Sequence, residues 1–340
     1  MGAVAVRTAG RCGVRRSARR GGAVCGGQHG GAVCGLERRC DTVGVTLLED
    51  LARAVPADGE PVVLSTRRGV LVLRAGDVVV KAHRPGTGEA DLRDRMSIAA
   101  DPLLSEILVP PMGPLRRIRD RWVTVWPAGR PVDPAGHDEV PWADGARLLA
   151  RLHALPIASL ATGPPSAGGP ARVARAVAGL PDGNPAADQV RQAYEVLPGW
   201  ARGEADALTG PRHRALVHGD WHLGQLIATP GAGWRLIDID DLGVGDPVWD
   251  LARPAALYAA GVLPPADWET FLGAYRASGG YALPADGDPW PRLNVPAQAL
   301  AVQLAATCVA TAAGEDRPLD EDETALVRAC GRIAAMSARL

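Results

Sequence analysis

Lysine is almost missing from this sequence. Of 37 basic side chains in 340 residues, only Lys81 is a lysine. Arginine-rich usage across a whole chain reflects genome composition and says nothing about function. A lone lysine directly after Val78-Val79-Val80 is harder to set aside. Arginine supplies exposed charge equally well, whereas a compact ammonium behaves differently at close quarters with phosphate oxygens. The bland alternative is a surface lysine kept by chance. The six cysteines, at 12, 25, 34, 40, 308 and 330, include no Cys-x-x-Cys pair. Free thiols in a reducing compartment therefore fit better than a disulfide framework, and a cytoplasmic location is expected. No run of 18 apolar residues is free of polar groups. The nearest, residues 297–313, carries Gln298 and Gln303 and is read as a buried C-terminal helix, so no membrane partner is expected.

Positive charge is scarce beyond the start of the chain. The first 40 residues hold eight Arg and one Glu, which leaves 29 basic and 37 acidic residues in 41–340, a net charge of −8. A nucleic-acid partner is not expected on electrostatic grounds, because an acidic surface releases no phosphate counterions. Apolar content of 47% and charged content of 22% are those of an ordinary globular protein, and the length suits two lobes.

Residues 1–43 do not read as folded. They repeat the hexapeptide GGAVCG at 21–26 and 30–35 among Arg pairs, and such a segment buries too little apolar surface to offset its ordering entropy. A disordered extension is the expectation. An Arg-rich targeting segment and a metal knuckle from Cys25, His29, Cys34 and Cys40 are the alternatives.

From Val45 the pattern becomes regular. Residues 45–55 have helical spacing, followed by strand-like runs at 61–66, 69–74 and 77–82 with hairpin-length turns between them. Glu89 to Ala100 reads as an amphipathic helix and 121–132 as a further strand turning at Pro127-Ala128-Gly129. Helices dominate afterwards, so a first lobe over 44–127 and a second over 128–340 are expected. Trp142 to Leu155 is helical, and His153 within it reads as a satisfied core or edge histidine.

Residues 216–252 carry the chemistry. The runs Ala215-Leu216-Val217 and Trp234-Arg235-Leu236-Ile237 read as a hairpin-like pair of short strands, linked by turn formers at 228–233. Each delivers a carboxylate just past its end, Asp220 and Asp238, with the amide of Gln225 nearby. Two acids and an amide suit a base beside a divalent-metal site. Asp246-Pro247 reads as a helix start, and Pro254 as a kink or restart.

The order is thus a small β-rich lobe with one lysine on its third strand, a helical lobe, then His218-Gly219-Asp220, Gln225 and Asp238. Gln225 lies five residues after Asp220 and Asp238 eighteen after it. HGDWHLGQL resembles the H-G-D-x-H-x-x-N loop of the aminoglycoside phosphotransferase and choline kinase family. LIDIDDLGVGDPVWDLA resembles that family's I-D…G-D-P-x-x-D-L-A element, and RLHALP recurs there as well. The resemblance covers about residues 60–330. It implies an α+β, protein-kinase-like bilobal fold with a small antiparallel sheet and a larger helical lobe. The implied activity is ATP- and Mg²⁺-dependent transfer of a phosphoryl group to a hydroxyl of a small polar molecule, such as an aminoglycoside or a sugar. The alternative is a nucleotide-binding pseudokinase.

By that resemblance Asp220 orients or deprotonates the acceptor, Gln225 and Asp238 hold Mg²⁺, and Lys81 pairs the α- and β-phosphates. The backbone from Trp126 to Ala128 meets the adenine, while His218 and Asp250 hold the catalytic loop. The acidic partner of Lys81 is Glu89, Asp91 or Asp94, with Glu89 favoured. Gln225 replaces the family's Asn, one methylene longer with the same amide oxygen, as in the maltokinase-like branch. Asp240 and Asp241 are either further metal ligands or solvated turn residues. The acids at 286–288, 315–316 and 320–323 read better as a solvated face than as a site for a polycation. Oligomeric state is not legible.

Overall fold

The computed structural model describes residues 42–54, 60–66, 69–133, 140–204, 214–229 and 231–337. The expected N-terminal extension lies outside the described residues, apart from Thr42 and Val43, which open the first helix. The chain divides into two compact units, residues 1–89 with 111–128 and residues 90–110 with 129–340.

The first unit is a five-stranded antiparallel sheet of order β1-β2-β3-β5-β4. Its strands are β1 (Val62–Ser65), β2 (Leu71–Ala75), β3 (Val78–Ala82), β4 (Arg116–Ile118) and β5 (Arg121–Pro127). Alternation sorts the side chains: Leu71 and Leu73 of β2, Val80 and Ala82 of β3 and Val123 of β5 are buried. They pack with Leu47 and Leu51 of α1 (Thr42–Ala54) into one core. Each large aliphatic side chain buried there is worth about 1.5–3 kcal/mol. The turn between β2 and β3 uses Gly76 at φ +54°, which a side chain would disfavour.

The second unit opens within α2 (Glu89–Ala99). This differs from a simple cut near residue 127, and backbone hydrogen bonding supplies the reason. The Val109 N–H donates to the Leu236 carbonyl at 2.9 Å, and the Leu236 N–H to the Ile107 carbonyl at 2.8 Å. Arg95 of α2 adds a 2.9 Å bond to the Leu242 carbonyl. The helices are α3 (Trp142–Ala154), α4 (Gly169–Ala178), α5 (Pro185–Glu195), α6 (Gly199–Arg202), α7 (Val248–Ala260), α8 (Pro265–Ala277), α9 (Trp290–Gly314) and α10 (Glu321–Ser337). α9 is long and apolar enough to cross a membrane, with mean hydropathy 1.4, yet 72% of its apolar window is buried. It packs on α4, α5, α7 and α10, and its alanines allow that close approach. A helix apolar on all sides is what such a central position requires.

The expected pairing of 215–217 with 234–237 is not what forms. β7 (Ala215–Val217) pairs instead with β10 (Gly243–Gly245). β9 (Gly233–Leu236) pairs with β8 (Leu226–Thr229), which also carries β6 (Arg130–Pro131). Leu226 and Ile227 are buried strand residues, so the turn formers close a tighter hairpin than the linker at 228–233 implied. α7 begins one residue after the expected start, with Pro247 at its N-cap position, and the Asp246 carboxylate accepts the Val248 N–H at 3.2 Å. Pro254 lies inside this helix without ending it.

Candidate active site

The loop after β7 is fixed from beneath by one buried carboxylate. Asp250, in the first turn of α7, accepts the backbone N–H groups of His218 (2.7 Å) and Gly219 (2.8 Å). His153 of α3 lies 3.0 Å from the same carboxylate through Nε2, and its Nδ1 lies 2.8 Å from the Tyr275 hydroxyl. All three side chains are buried. Burial alone would raise the Asp250 pKa, but the hydrogen bond and charge of His153, helped by His218, hold it below the ordinary aspartate value. Burial keeps the Tyr275 hydroxyl protonated well beyond its usual range.

His218 then ties two loops together. Its Nε2–H donates to the Ile237 carbonyl at 2.8 Å, an acceptor that sets the tautomer, and its Nδ1 faces the Asp220 N–H at 3.4 Å. Gly219 has φ +81°, and a Cβ there would come within 2.3 Å of the Asp241 carbonyl oxygen. Only glycine lets the chain turn and deliver Asp220.

Gln225 and Asp238 are brought together by the β8–β9 hairpin. The Ile237 N–H donates to the Gln225 carbonyl at 2.9 Å, and the Gln225 side-chain amide lies 3.3 Å from Asp238 Oδ2. Asp238 sits in the left-handed region at φ +65°, an uncommon conformation for a residue with a side chain and one found at functional loops. The donor set fits Mg²⁺. One carboxylate and one amide oxygen are the one or two protein ligands that this ion takes beside water and phosphate. The amide can turn its oxygen toward the ion, since its nitrogen and oxygen are interchangeable by a flip. Among the described residues no group of three His, Cys, Asp or Glu forms an all-protein metal cage.

Asp241 has a different partner. Arg172 of α4 bridges it to Asp220, through Nη1 to Asp241 Oδ2 and through Nη2 to Asp220 Oδ2, the latter at 2.5 Å. Arg253 of α7 holds the other Asp220 oxygen at 2.6 Å. Both oxygens of the expected base are therefore paired to guanidinium groups. Burial opposes charge on Arg172, but Asp220, Asp241 and Asp238 outweigh it and hold its pKa above the usual arginine value. Burial raises the Asp241 carboxyl against the pull of Arg172. His222 is pushed well below the usual histidine range by burial and next by Arg253. It accepts the Gly224 N–H on Nδ1 at 3.0 Å, as a neutral ring can.

These arginines escaped the reading of the sequence. Arg172 lies in a Gly-, Pro- and Ala-rich stretch with no motif around it. Arg253 was findable: it follows Asp250-Leu251-Ala252 and stands three residues after Asp250, on the same face of a helix.

In the β-rich unit, Lys81 stands opposite Thr124 across β3 and β5. Residues so paired project from one face of the sheet. Thr124 Oγ1 accepts the Trp126 indole N–H at 2.9 Å and lies 3.0 Å from His83 Nε2. Lys81, Thr124, Trp126 and His83 therefore share the face opposite the α1 core, and His83 and Thr124 were not singled out in advance. The Ala128 N–H donates to the Asp77 carbonyl at 2.7 Å, so a backbone contact from Ala128 to a base would run through its carbonyl. Glu89 is exposed as the first residue of α2. Of its two rivals, Asp91 lies 3.9 Å from Arg95.

The acids near the C-terminus are engaged locally. Asp320 and Glu323 exchange backbone-to-side-chain hydrogen bonds at 2.9 Å in a capping box at the start of α10. Arg317 binds Glu323 at 2.7 Å and Glu315 at 2.8 Å.

Comparison with known proteins places this geometry. A family model described as "Phosphotransferase enzyme family" matches residues 70–292. A choline/ethanolamine kinase family protein from Mesorhizobium loti matches in structure at 19% identity and TM-score 0.52, over 85% of this chain and 94% of that one. Choline kinase LicA from Streptococcus pneumoniae matches at 15% identity and TM-score 0.53, over 86% and 99%. A thermostable mutant of aminoglycoside phosphotransferase APH(4)-Ia, in ternary complex with AMP-PNP and hygromycin B, matches at 15% and 0.56, over 87% and 100%. At these identities the likeness is one of fold, and the fold is α+β and kinase-like. No curated protein matched by sequence.

Proposed function

The chain belongs to the phosphotransferase enzyme family, and from that premise we propose that it moves the γ-phosphoryl group of ATP, with Mg²⁺, to a hydroxyl of a small polar molecule. The observation that carries this reading is the loop held by Asp250, which sets Asp220 into a half-buried cluster with Arg172 and Arg253, while the next hairpin brings Gln225 and Asp238 within 3.3 Å of each other. In the reaction the acceptor oxygen bonds the γ-phosphorus as the bond to the β,γ-bridging oxygen breaks. ADP leaves, and the hydroxyl proton passes to Asp220. Positioning and charge neutralisation supply most of the catalysis in such transfers. Mg²⁺, when bound, would neutralise phosphate oxygens, with Gln225 and Asp238 as its protein ligands. Lys81 is assigned the α- and β-phosphates, Glu89 the positioning of Lys81, and Trp126 with the Ala128 carbonyl the adenine. Nucleotide-bound relatives of the same fold, one with AMP-PNP and one with AMP, support a nucleotide donor. Cys308 and Cys330, both buried and outside any disulfide, support a reducing, cytoplasmic setting.

The test is ADP release from Mg-ATP against a panel of aminoglycosides, maltose and other sugars, choline and homoserine, with Asp220→Asn as control. Turnover above that variant with at least one acceptor is expected. Turnover no higher than the variant throughout, with Mg-ATP still bound, would leave a nucleotide-binding module in place of the enzyme.

A further inference from the structure

The end of β5, to which the base is assigned, is short of hydrogen-bond donors. Along this strand, backbone groups that face β3 alternate with groups that face outward. The Ala128 N–H donates to the Asp77 carbonyl at 2.7 Å, and the Trp122 carbonyl accepts the His83 N–H at 2.8 Å. Trp126, opposite Val79, lies in the same alternating set, so its N–H and carbonyl are engaged within the sheet. The outward set is Val123, Val125 and Pro127. Val123 pairs with Arg116 of β4, and the Val125 carbonyl accepts the Met112 N–H at 2.8 Å. Pro127, the first outward residue past that cover, has no N–H. Gly129 packs on β8, where a Cβ would come within 2.7 Å of Ile227 Cδ1. The one polar side chain among 126–128 is also engaged: Trp126 gives its indole N–H to Thr124 Oγ1 at 2.9 Å. Its ring keeps a π face, and that stacks on any base. Residues 126–128 therefore offer a base the carbonyl oxygens of Pro127 and Ala128, and no N–H.

An edge made of acceptors alone reads a purine in one direction. Adenine presents an acceptor at N1 beside a donor at N6, whereas guanine presents donors at N1 and N2 beside an acceptor at O6. Selecting adenine takes an N–H aimed at its N1, and that is the group a proline removes. Resting on the phosphotransferase reading above and its placement of the base at 126–128, we propose that the nucleotide site does not select adenine, and that a guanine nucleoside triphosphate serves as phosphoryl donor at least as well as ATP. Guanine sets two adjacent N–H groups against the carbonyls. Adenine sets one, and its N1 is left to water. The property belongs to the backbone at Pro127, so a single substitution there reverses it.

The test measures binding to the full chain by calorimetry, with Mg-AMP-PNP against Mg-GMP-PNP, and with Mg-ATP against Mg-1-deaza-ATP, whose ring has C–H in place of N1. GMP-PNP should bind as tightly as AMP-PNP or more tightly, and 1-deaza-ATP should bind within about twofold of ATP. Pro127→Ala restores an N–H on the outward edge. It should move the ratio toward AMP-PNP by about three- to tenfold, the worth of one neutral hydrogen bond, and make loss of N1 costly by a similar factor. Circular-dichroism melting shows whether the variant is folded, and the 1-deaza comparison decides the matter in the parent chain if it is not. AMP-PNP binding threefold or more tightly than GMP-PNP, a fivefold or greater loss with 1-deaza-ATP, or a folded Pro127→Ala that keeps the parent's ratio overturns the inference. Nucleoside diphosphate release from Mg-ATP and Mg-GTP is then measured with the acceptor panel above. The expected binding ratio without release from any acceptor would remove the phosphotransfer reading and keep the base preference. Release from ATP with GTP inert would do the reverse. A chain that binds neither nucleotide would overturn both.

Discussion

His153 Nε2 lies 3.0 Å from Asp250 Oδ2, inside the protein and across 97 residues of sequence. This contact joins α3 to α7, and through Asp250 it reaches the backbone of His218 and Gly219. The loop that carries Asp220 is therefore held by a buried carboxylate.

Asp250→Asn should cost roughly 3 kcal/mol or more of stability, because an amide nitrogen then faces a backbone N–H or the His153 ring. The pH dependence carries the sign. The Asp250 pKa is lower in the folded chain than its ordinary value of 3.8, so its stabilisation is complete above that value. It is lost as pH falls through the depressed one. Denaturation midpoints measured from pH 7 to pH 2 should show the deficit of Asp250→Asn shrinking toward acid. A deficit that stays constant would mean that the carboxylate charge does not matter there.

Gly219→Ala should fail for a reason of geometry alone. A residue at φ +81° is strained once it has a Cβ, and this Cβ would meet the Asp241 carbonyl oxygen at 2.3 Å. Strain of this kind costs about 1–3 kcal/mol, and the clash adds to it by pushing Asp220 away. Activity should fall far more than the melting temperature predicts, since the loop moves before the fold is lost. Turnover near that of the parent enzyme would mean that the loop tolerates displacement.

The amide of Gln225 stands 3.3 Å from Asp238, so its removal should show in the metal requirement. Gln225→Ala should raise the Mg²⁺ concentration for half-maximal activity by on the order of tenfold to a hundredfold, the scale seen when a metal site loses a supporting group. Gln225→Asn keeps the amide oxygen one methylene closer to the backbone and should recover part of the loss. A Mg²⁺ titration in which all three proteins coincide would exclude Gln225 as a ligand.

Much of this arrangement was legible in the sequence because it is local. Alternation in 71–82 marks strands, and His218, Asp220, Gln225 and Asp238 fall at fixed short spacings. What was not legible depends on pairing across distance. β7 finds β10 and not β9, since three-residue strands carry too few contacts to specify a partner from pattern alone. Arg172 reaches Asp220 across 48 positions from a stretch with no motif. The assignment of 90–110 to the helical unit turns on backbone bonds at 107 and 109 that have no side-chain signature.

Lys81 offers the most direct check on the nucleotide assignment, since it stands opposite Thr124 and two residues from the buried His83 on the five-stranded sheet. Lys81→Ala should leave the fold intact, because the unit's core lies on the other face, among Leu71, Leu73, Val80 and Val123. Its effect should appear in the nucleotide: a higher KM for ATP, a lower kcat, and loss of the thermal shift that Mg-ATP gives the parent. Lys81→Arg should rescue little, because a planar fork replaces a point charge with three donors. A chain that evolution filled with arginine everywhere else would accept one here at no loss if this position were only surface. Equal ATP kinetics for Lys81→Arg and the parent would assign the single lysine to chance.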